Sequence, residues 1–301
     1  MKSNSTLKNR LLSFLGLAVL FLSGGCSSLA PQPTGKSTLW RVQSPTNTVY
    51  LMGSIHVLPK SVYPLKPALC HAFNDSQRVI FEIALGDEKH DNAMADSFKD
   101  GLYPKGEKLS QHLSLETLTM LKTLLPYFGI PLEKLEPMRP WLVSDLMMSL
   151  YLERNGYDSE RGLDFHFFKL AQKRGKPTGG LEKVQAQTAP FRQFSDVEAD
   201  RYLRSTLGSL PFTGVWFGQM IHAWQTGDTA ALDALINHST KDEKGFYKSI
   251  FDDRNNAWMP AIRRTIGGKG NVLIIVGSGH LVGRSGIVRQ LRSEGYSVEQ
   301  L

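Results

Sequence analysis

Val49-Tyr50-Leu51-Met52-Gly53-Ser54-Ile55-His56 and, far downstream, Leu273-Ile274-Ile275-Val276-Gly277-Ser278-Gly279-His280 are one phrase written twice. In each copy an apolar run ends at a glycine that permits a sharp turn, and a histidine follows three residues later. In open α/β sheets, the loops at the carboxyl ends of parallel strands are where ligands are held. The repeated phrase therefore predicts two strands whose following loops turn His56 and His280 into one crevice. A lone histidine after a strand is usually a cap or a packing residue. The other six, His71, His90, His112, His166, His222 and His238, lack such an echo and are read as structural.

A third member comes from Val79-Ile80-Phe81-Glu82-Ile83. An ionised carboxylate inside an apolar strand is costly unless it is paired, hydrogen-bonded or bound to a metal. Glu82 needs a partner, and the candidates are His56, His280, an ion between them, or a buried ion pair with Arg78 or Arg254. Two His and one carboxylate with open positions form a ligand set suited to Zn, Mn, Co or Fe. Common alternatives are missing. There is no H-E-x-x-H helix, no G-x-S-x-G elbow around Ser54 or Ser278, and no phosphate loop at Lys269 or at Gly35-Lys36-Ser37. Gly277, Gly279 and Gly283 are spaced one residue too widely for a dinucleotide fingerprint.

Outward from these residues, segments 39–42 and 48–52 read as a strand pair across a Ser-Pro-Thr-Asn turn, and 78–83 and 271–276 as interior strands. Between about 87 and 266 the pattern is mostly helical, with apolar residues three and four apart at 115–125, 142–152, 163–171, 215–224 and 257–266. The expected architecture is an α/β fold: a mixed sheet from the N- and C-terminal segments with a large helical insertion. With 301 residues and 41% hydrophobic content the chain is globular, and its two cysteines make no disulfide framework or C-x-x-C pair. Cys70, among Ala68, Leu69 and Ala72, reads as a small core residue.

Residues 1–25 carry Lys2, Lys8 and Arg10, contain no acid, and run apolar over 11–22, the pattern of an export signal. A run of twelve residues falls short of the ~20 that a spanning helix needs. Removing those three charges takes the net charge from +7 to +4, which leaves nucleic-acid binding without support. Leu22-Ser23-Gly24-Gly25-Cys26 is similar to a lipobox, with Ser23 where Leu is usual, so Cys26 is the candidate lipidation site and 26–37 the anchor and tether. Cleavage after Ser28-Leu29-Ala30 is the alternative, giving a soluble periplasmic protein. With Ser27 after the cysteine, the expected location is the periplasmic face of a bacterial envelope, as an outer-membrane lipoprotein.

The two His motifs and Glu82 resemble those of the TraB/PrgY/GumN family, which includes the TIKI proteins of animals. The resemblance runs over about 38–301. It takes in Leu39-Trp40, Pro140-Trp141, Gly162-Leu163-Asp164, Gly180-Leu181-Glu182 with Gln187, Arg254-Asn255, and the ending Gly277 to Gly283 with Gly286. Ser54 stands where many relatives carry Thr, which keeps the hydroxyl. The resemblance implies a fold similar to the erythromycin esterase-like and ChaN-like proteins, and a hydrolase site, metalloprotease-like in animal members. On it, His56, Glu82, His280 and Arg254 are the catalytic candidates. The first three would be ligands of a divalent Mn, Co or Zn ion, while Gly53, Gly277, Asp164, Glu182, Trp141 and Gly162 have supporting roles. The implied activity is hydrolysis of a peptide or protein by activated water: with a metal through the three ligands, without one through Glu82 or a His as base, and with Arg254 on the oxyanion. A lipid-anchored protein that binds haem, as ChaN-like relatives do, or sequesters a peptide without turnover, is the competing reading.

Overall fold

The structure is a computed structural model and describes residues 35–86, 95–239 and 244–301. The strands are β1 (Leu39–Gln43), β2 (Thr48–Ser54), β3 (Leu58–Pro59), β4 (Arg78–Ile83), β5 (Tyr157–Asp158), β6 (Thr178–Glu182), β7 (Val272–Gly277) and β8 (Val298–Gln300). The α-helices are α1 (Pro67–Asp75), α2 (Leu115–Phe128), α3 (Pro140–Arg154), α4 (Leu163–Lys173), α5 (Val184–Arg192), α6 (Asp196–Thr226), α7 (Thr229–Ser239), α8 (Lys244–Tyr247), α9 (Asp253–Ile266), α10 (Ser278–Leu281) and α11 (Ile287–Ser293).

The described residues fall into two compact units. The first comprises 35–86, 157–183, 215–239 and 244–301 and contains the sheet; the second comprises 95–156 and 184–214.

In the first unit six strands form one mixed sheet in the order β6-β4-β7-β2-β1-β8. β6, β4, β7 and β2 run parallel, while β1 lies antiparallel to both β2 and β8. β7 is Val-Leu-Ile-Ile-Val-Gly, and its first five residues are buried. That is the signature of a strand covered on both faces. β7 lies between β2 and β4. The loop after β7 and the loop after β2 are neighbours at one edge of the sheet, and the end of β4 flanks β7 on the other side.

The mixed sheet and the predicted strands and helices are present, but two strands fall inside the span read as a helical insertion, and one of them, β5, pairs with β3. The other, β6, forms the edge of the sheet. Its sequence, Thr-Gly-Gly-Leu-Glu, has two residues poor in strand propensity and no apolar alternation, so local pattern did not betray it. Gly180 is required there: a Cβ at that position would run into the backbone of Ile83 and Ala84 as the chain leaves β4. Cys70 is half-buried on α1, which turns Leu69, Ala72 and Phe73 inward instead.

In the second unit α3 buries twelve of its fifteen residues, Trp141 among them, and Trp141 stacks on Phe191 of α5 at 5.2 Å. Trp141 is thus a core residue of that unit.

Candidate active site

Three chain segments deliver the predicted trio. His56 follows β2, Glu82 is the fifth residue of β4, and His280 lies in the single turn α10 directly after β7. Gly277 is the point around which they meet. A Cβ built there would lie 3.2 Å from Glu82 Oε1, 3.6 Å from His56 Nε2 and 3.6 Å from His280 Cδ2. The missing side chain leaves a space bordered by all three. Gly53, the equivalent glycine in the first copy, serves packing: its Cβ would strike Thr38 and Ser278. The two serines also part company, since Ser278 Oγ donates to Ser54 O at 2.9 Å while Ser54 Oγ is buried with no hydrogen-bond partner.

Glu82 is 5% exposed and His280 3%. The partner that Glu82 needs is Arg254, the second residue of α9, whose Nη2 donates to Glu82 Oε2 at 2.6 Å; Gly277 N–H donates to Oε1 at 2.6 Å. The same guanidinium is clamped by Glu182 at the end of β6, with Nη2 to Oε1 at 2.6 Å and Nε to Oε1 and Oε2 at 3.1 and 3.2 Å. Nη1 donates to Ile250 O at 3.3 Å and to His280 Nε2 at 3.2 Å. Its N–H groups are therefore all engaged. Arg78, the other partner considered for Glu82, is exposed. A π-helical turn, Lys248–Asp252, precedes α9, and such turns recur at functional sites.

Two residues that sequence reasoning did not place in the site complete it. Asn255 is fully buried; its Nδ2 donates to Ser285 O at 3.0 Å, so its Oδ1 is the acceptor facing His280 Nδ1 at 2.7 Å. That assigns the proton to Nδ1 and leaves a lone pair on Nε2, which accepts from Arg254. Trp258, one helical turn beyond Arg254, donates Nε1–H to Glu182 Oε2 at 2.9 Å, sits 4.4 Å from the His280 ring and lies under the guanidinium at 4.9 Å. The available signal was adjacency: Asn255 follows Arg254, and Trp258 shares its face at i+4.

His56 lies toward solvent, its side chain 32% exposed, and its Nδ1 bonds Asp164 Oδ2 at 2.8 Å. Asp164 belongs to the first turn of α4, and Gly162 before it allows that turn to press against the His56 carbonyl, where any Cβ would overlap it. None of the site's hydrogen bonds or ion pairs involves His71, His112, His166 or His222; His90 lies outside the described residues.

The electrostatics follow. Burial works against protonation of His56, but the Asp164 carboxylate, with Glu82 behind it, outweighs burial and raises its pKa to about 9. For Glu82, burial favours the neutral acid, yet Arg254 and then the two imidazoles hold it down at about 2. His280 is pushed down to about 3 by burial and by Arg254. Glu182 is raised, because burial exceeds the opposing pull of Arg254.

A sequence profile of the TraB/PrgY/gumN family matches residues 38–300. The chain belongs to that family. It is 25% identical to Metalloprotease TIKI1 of Danio rerio over 91% of this chain and 65% of that protein. It is 25% identical to Metalloprotease TIKI2 of the same fish over 91% of this chain and 62% of that protein. An uncharacterized protein of Treponema pallidum (strain Nichols) is 22% identical over 94% of this chain and 87% of its own length. The chain thus spans less than two thirds of the length of the two fish proteins.

The names of the two fish relatives imply a metal, and the donor types suit one: two imidazoles whose Nδ1 atoms bond Asp164 and Asn255, and the Glu82 carboxylate. Charge also favours it. Glu82 and Glu182 share one guanidinium and Asp164 pairs with His56, an imidazolium at neutral pH, so the three carboxylates exceed the two cations by one. The placement does not fit. Among the described residues no three His, Cys, Asp or Glu groups are arranged to hold an ion, and the cation seated on Glu82 and His280 is Arg254.

Proposed function

We propose that this protein is a hydrolase of the bacterial cell envelope, a peptidase acting through water activated at His56, Glu82 and His280. The observation that carries this reading is the space at Gly277, bordered at 3.2–3.6 Å by Glu82 Oε1, His56 Nε2 and the His280 ring. The names of the TIKI relatives support a peptide or protein as substrate. Lipid on Cys26, which lies outside the described residues, would hold the protein to the membrane on its periplasmic side.

His56 faces the solvent side of the site and can meet substrate first. Its Nε2 takes a proton from the attacking water while Nδ1–H stays on Asp164, whose charge stabilises the imidazolium formed. The same Nε2–H then returns the proton to the leaving nitrogen. Glu82 accepts from Gly277 N–H and Arg254, which fixes the wall of the space opposite His56. Arg254 contributes its positive charge beside the developing oxyanion rather than a free N–H donor, since its N–H groups are taken. Were a divalent Mn, Co or Zn ion bound by His56, Glu82 and His280, it would supply a water of lowered pKa and a polarised carbonyl.

A peptide-library cleavage assay on the mature protein, with and without added divalent ion, tests this. New amino termini in wild type and none in His56→Ala would support the reading. Peptide binding without cleavage would favour sequestration, and a haem absorbance band on titration would favour the haem-binding alternative.

A further inference from the structure

Arg254 does more than neutralise a neighbour. Its Nη1 sits on the Nε2 lone pair of His280, and its Nη2 on Glu82 Oε2. Those atoms belong to two of the three side chains from which a divalent ion would take its bonds. The guanidinium cannot be pulled away cheaply in the resting arrangement, because Glu182 and Ile250 O grip its other N–H groups and Trp258 lies beneath it. A guanidinium and a divalent ion on the same donors repel one another in a site where burial weakens screening.

We propose that Arg254 is a resident cation that competes with a divalent metal ion for Glu82 and His280, so that the site takes metal only as Arg254 gives up those two contacts. The inference rests on the metal-assisted form of the proposed hydrolase. It explains why donors of the right type do not form a ligand cluster while Arg254 is seated. Arg254 is thereby a determinant of metal affinity, set against the metal, whereas an arginine that merely props up the ligands would favour metal when present.

The test is Co2+ binding to the mature protein by titration calorimetry and by the visible absorption of bound Co2+, both independent of turnover. Arg254→Met removes the competing charge, and Arg254→Lys keeps a charge on a flexible stem that can move aside. Affinity should rise in the order wild type, Arg254→Lys, Arg254→Met, with the last at least about tenfold tighter. Adding His280→Ala to Arg254→Met should abolish the gain. Circular dichroism melts identify a variant that fails to fold, and Arg254→Lys then carries the test. Equal or weaker binding in a folded variant, with wild type binding Co2+, overturns the competition and leaves the metal-assisted reading standing. Absence of binding in wild type and variants alike overturns both.

Discussion

An imidazole that donates Nδ1–H to a carboxylate holds its second proton more tightly than a free one. For His56 the raised pKa of about 9 means an imidazolium at neutral pH. Its stabilising contribution is complete below pH 6.5 and is lost as pH rises through about 9. Since the base form is the unprotonated one, hydrolysis should rise with pH toward that value. Asp164→Asn removes the charge, so the His56 pKa should fall and the rising limb move to lower pH, as followed by imidazole NMR and a pH–rate profile. An unmoved His56 pKa would detach Asp164 from the site. Glu82 behaves oppositely. Its lowered pKa gives stability that is complete above pH 4.5 and lost as pH falls through about 2. Cutting its buried pair with Glu82→Ala leaves Arg254 short of an anion and should cost about 3–5 kcal/mol in urea unfolding. A loss below 1 kcal/mol would mean that water screens the pair. Glu82 was legible from sequence because a carboxylate in an apolar run demands a partner. Asn255 was not, because a polar residue in a helix usually faces solvent, and only the fold reveals it wholly buried against His280.

At the level of elements, position in the sheet does the work that local motif cannot. β2 and β7 are parallel neighbours, with Ser54 opposite Gly277, so the two copies of the repeated phrase end side by side, one residue out of step. That juxtaposition was legible, since each strand is an apolar run with a glycine stop. β6 was not, although it delivers Glu182 to Arg254. Its pairing with β4 rests on Gly180, which lets the backbone of residues 83 and 84 close over it. Gly180→Val should therefore detach the edge strand, lower stability by about 1–3 kcal/mol, and loosen Arg254, all visible in unfolding curves and hydrogen exchange near 178–182. A neutral outcome would show that the edge can shift without strain. Gly277→Ala tests the other end of the design. A methyl 3.2 Å from Glu82 Oε1 is tight but not a backbone collision. The protein should fold, and the methyl should exclude whatever occupies the space, giving a stable variant with hydrolysis lost.

On the scale of the whole molecule, residues far apart in the chain come together because one unit gathers 35–86, 157–183, 215–239 and 244–301. Periodicity showed the helices, but not which of them join the sheet and which build the second unit, because amphipathic spacing says that a face is buried and not against what. The N-terminal reading is independent of the fold. Mass spectrometry of the mature protein should find a lipid-modified Cys26 as first residue, and an unmodified start at Pro31 would make the protein soluble in the periplasm. The claim that matters most is that His56, Glu82 and His280 form one catalytic unit. It is tested most directly by peptide hydrolysis rates for His56→Ala, Glu82→Gln, His280→Ala and their pairwise combinations, in folded protein. Groups acting as a unit give grossly non-additive losses. Each single substitution should abolish hydrolysis with the doubles no worse, whereas mild losses that simply multiply in the doubles would contradict a shared site.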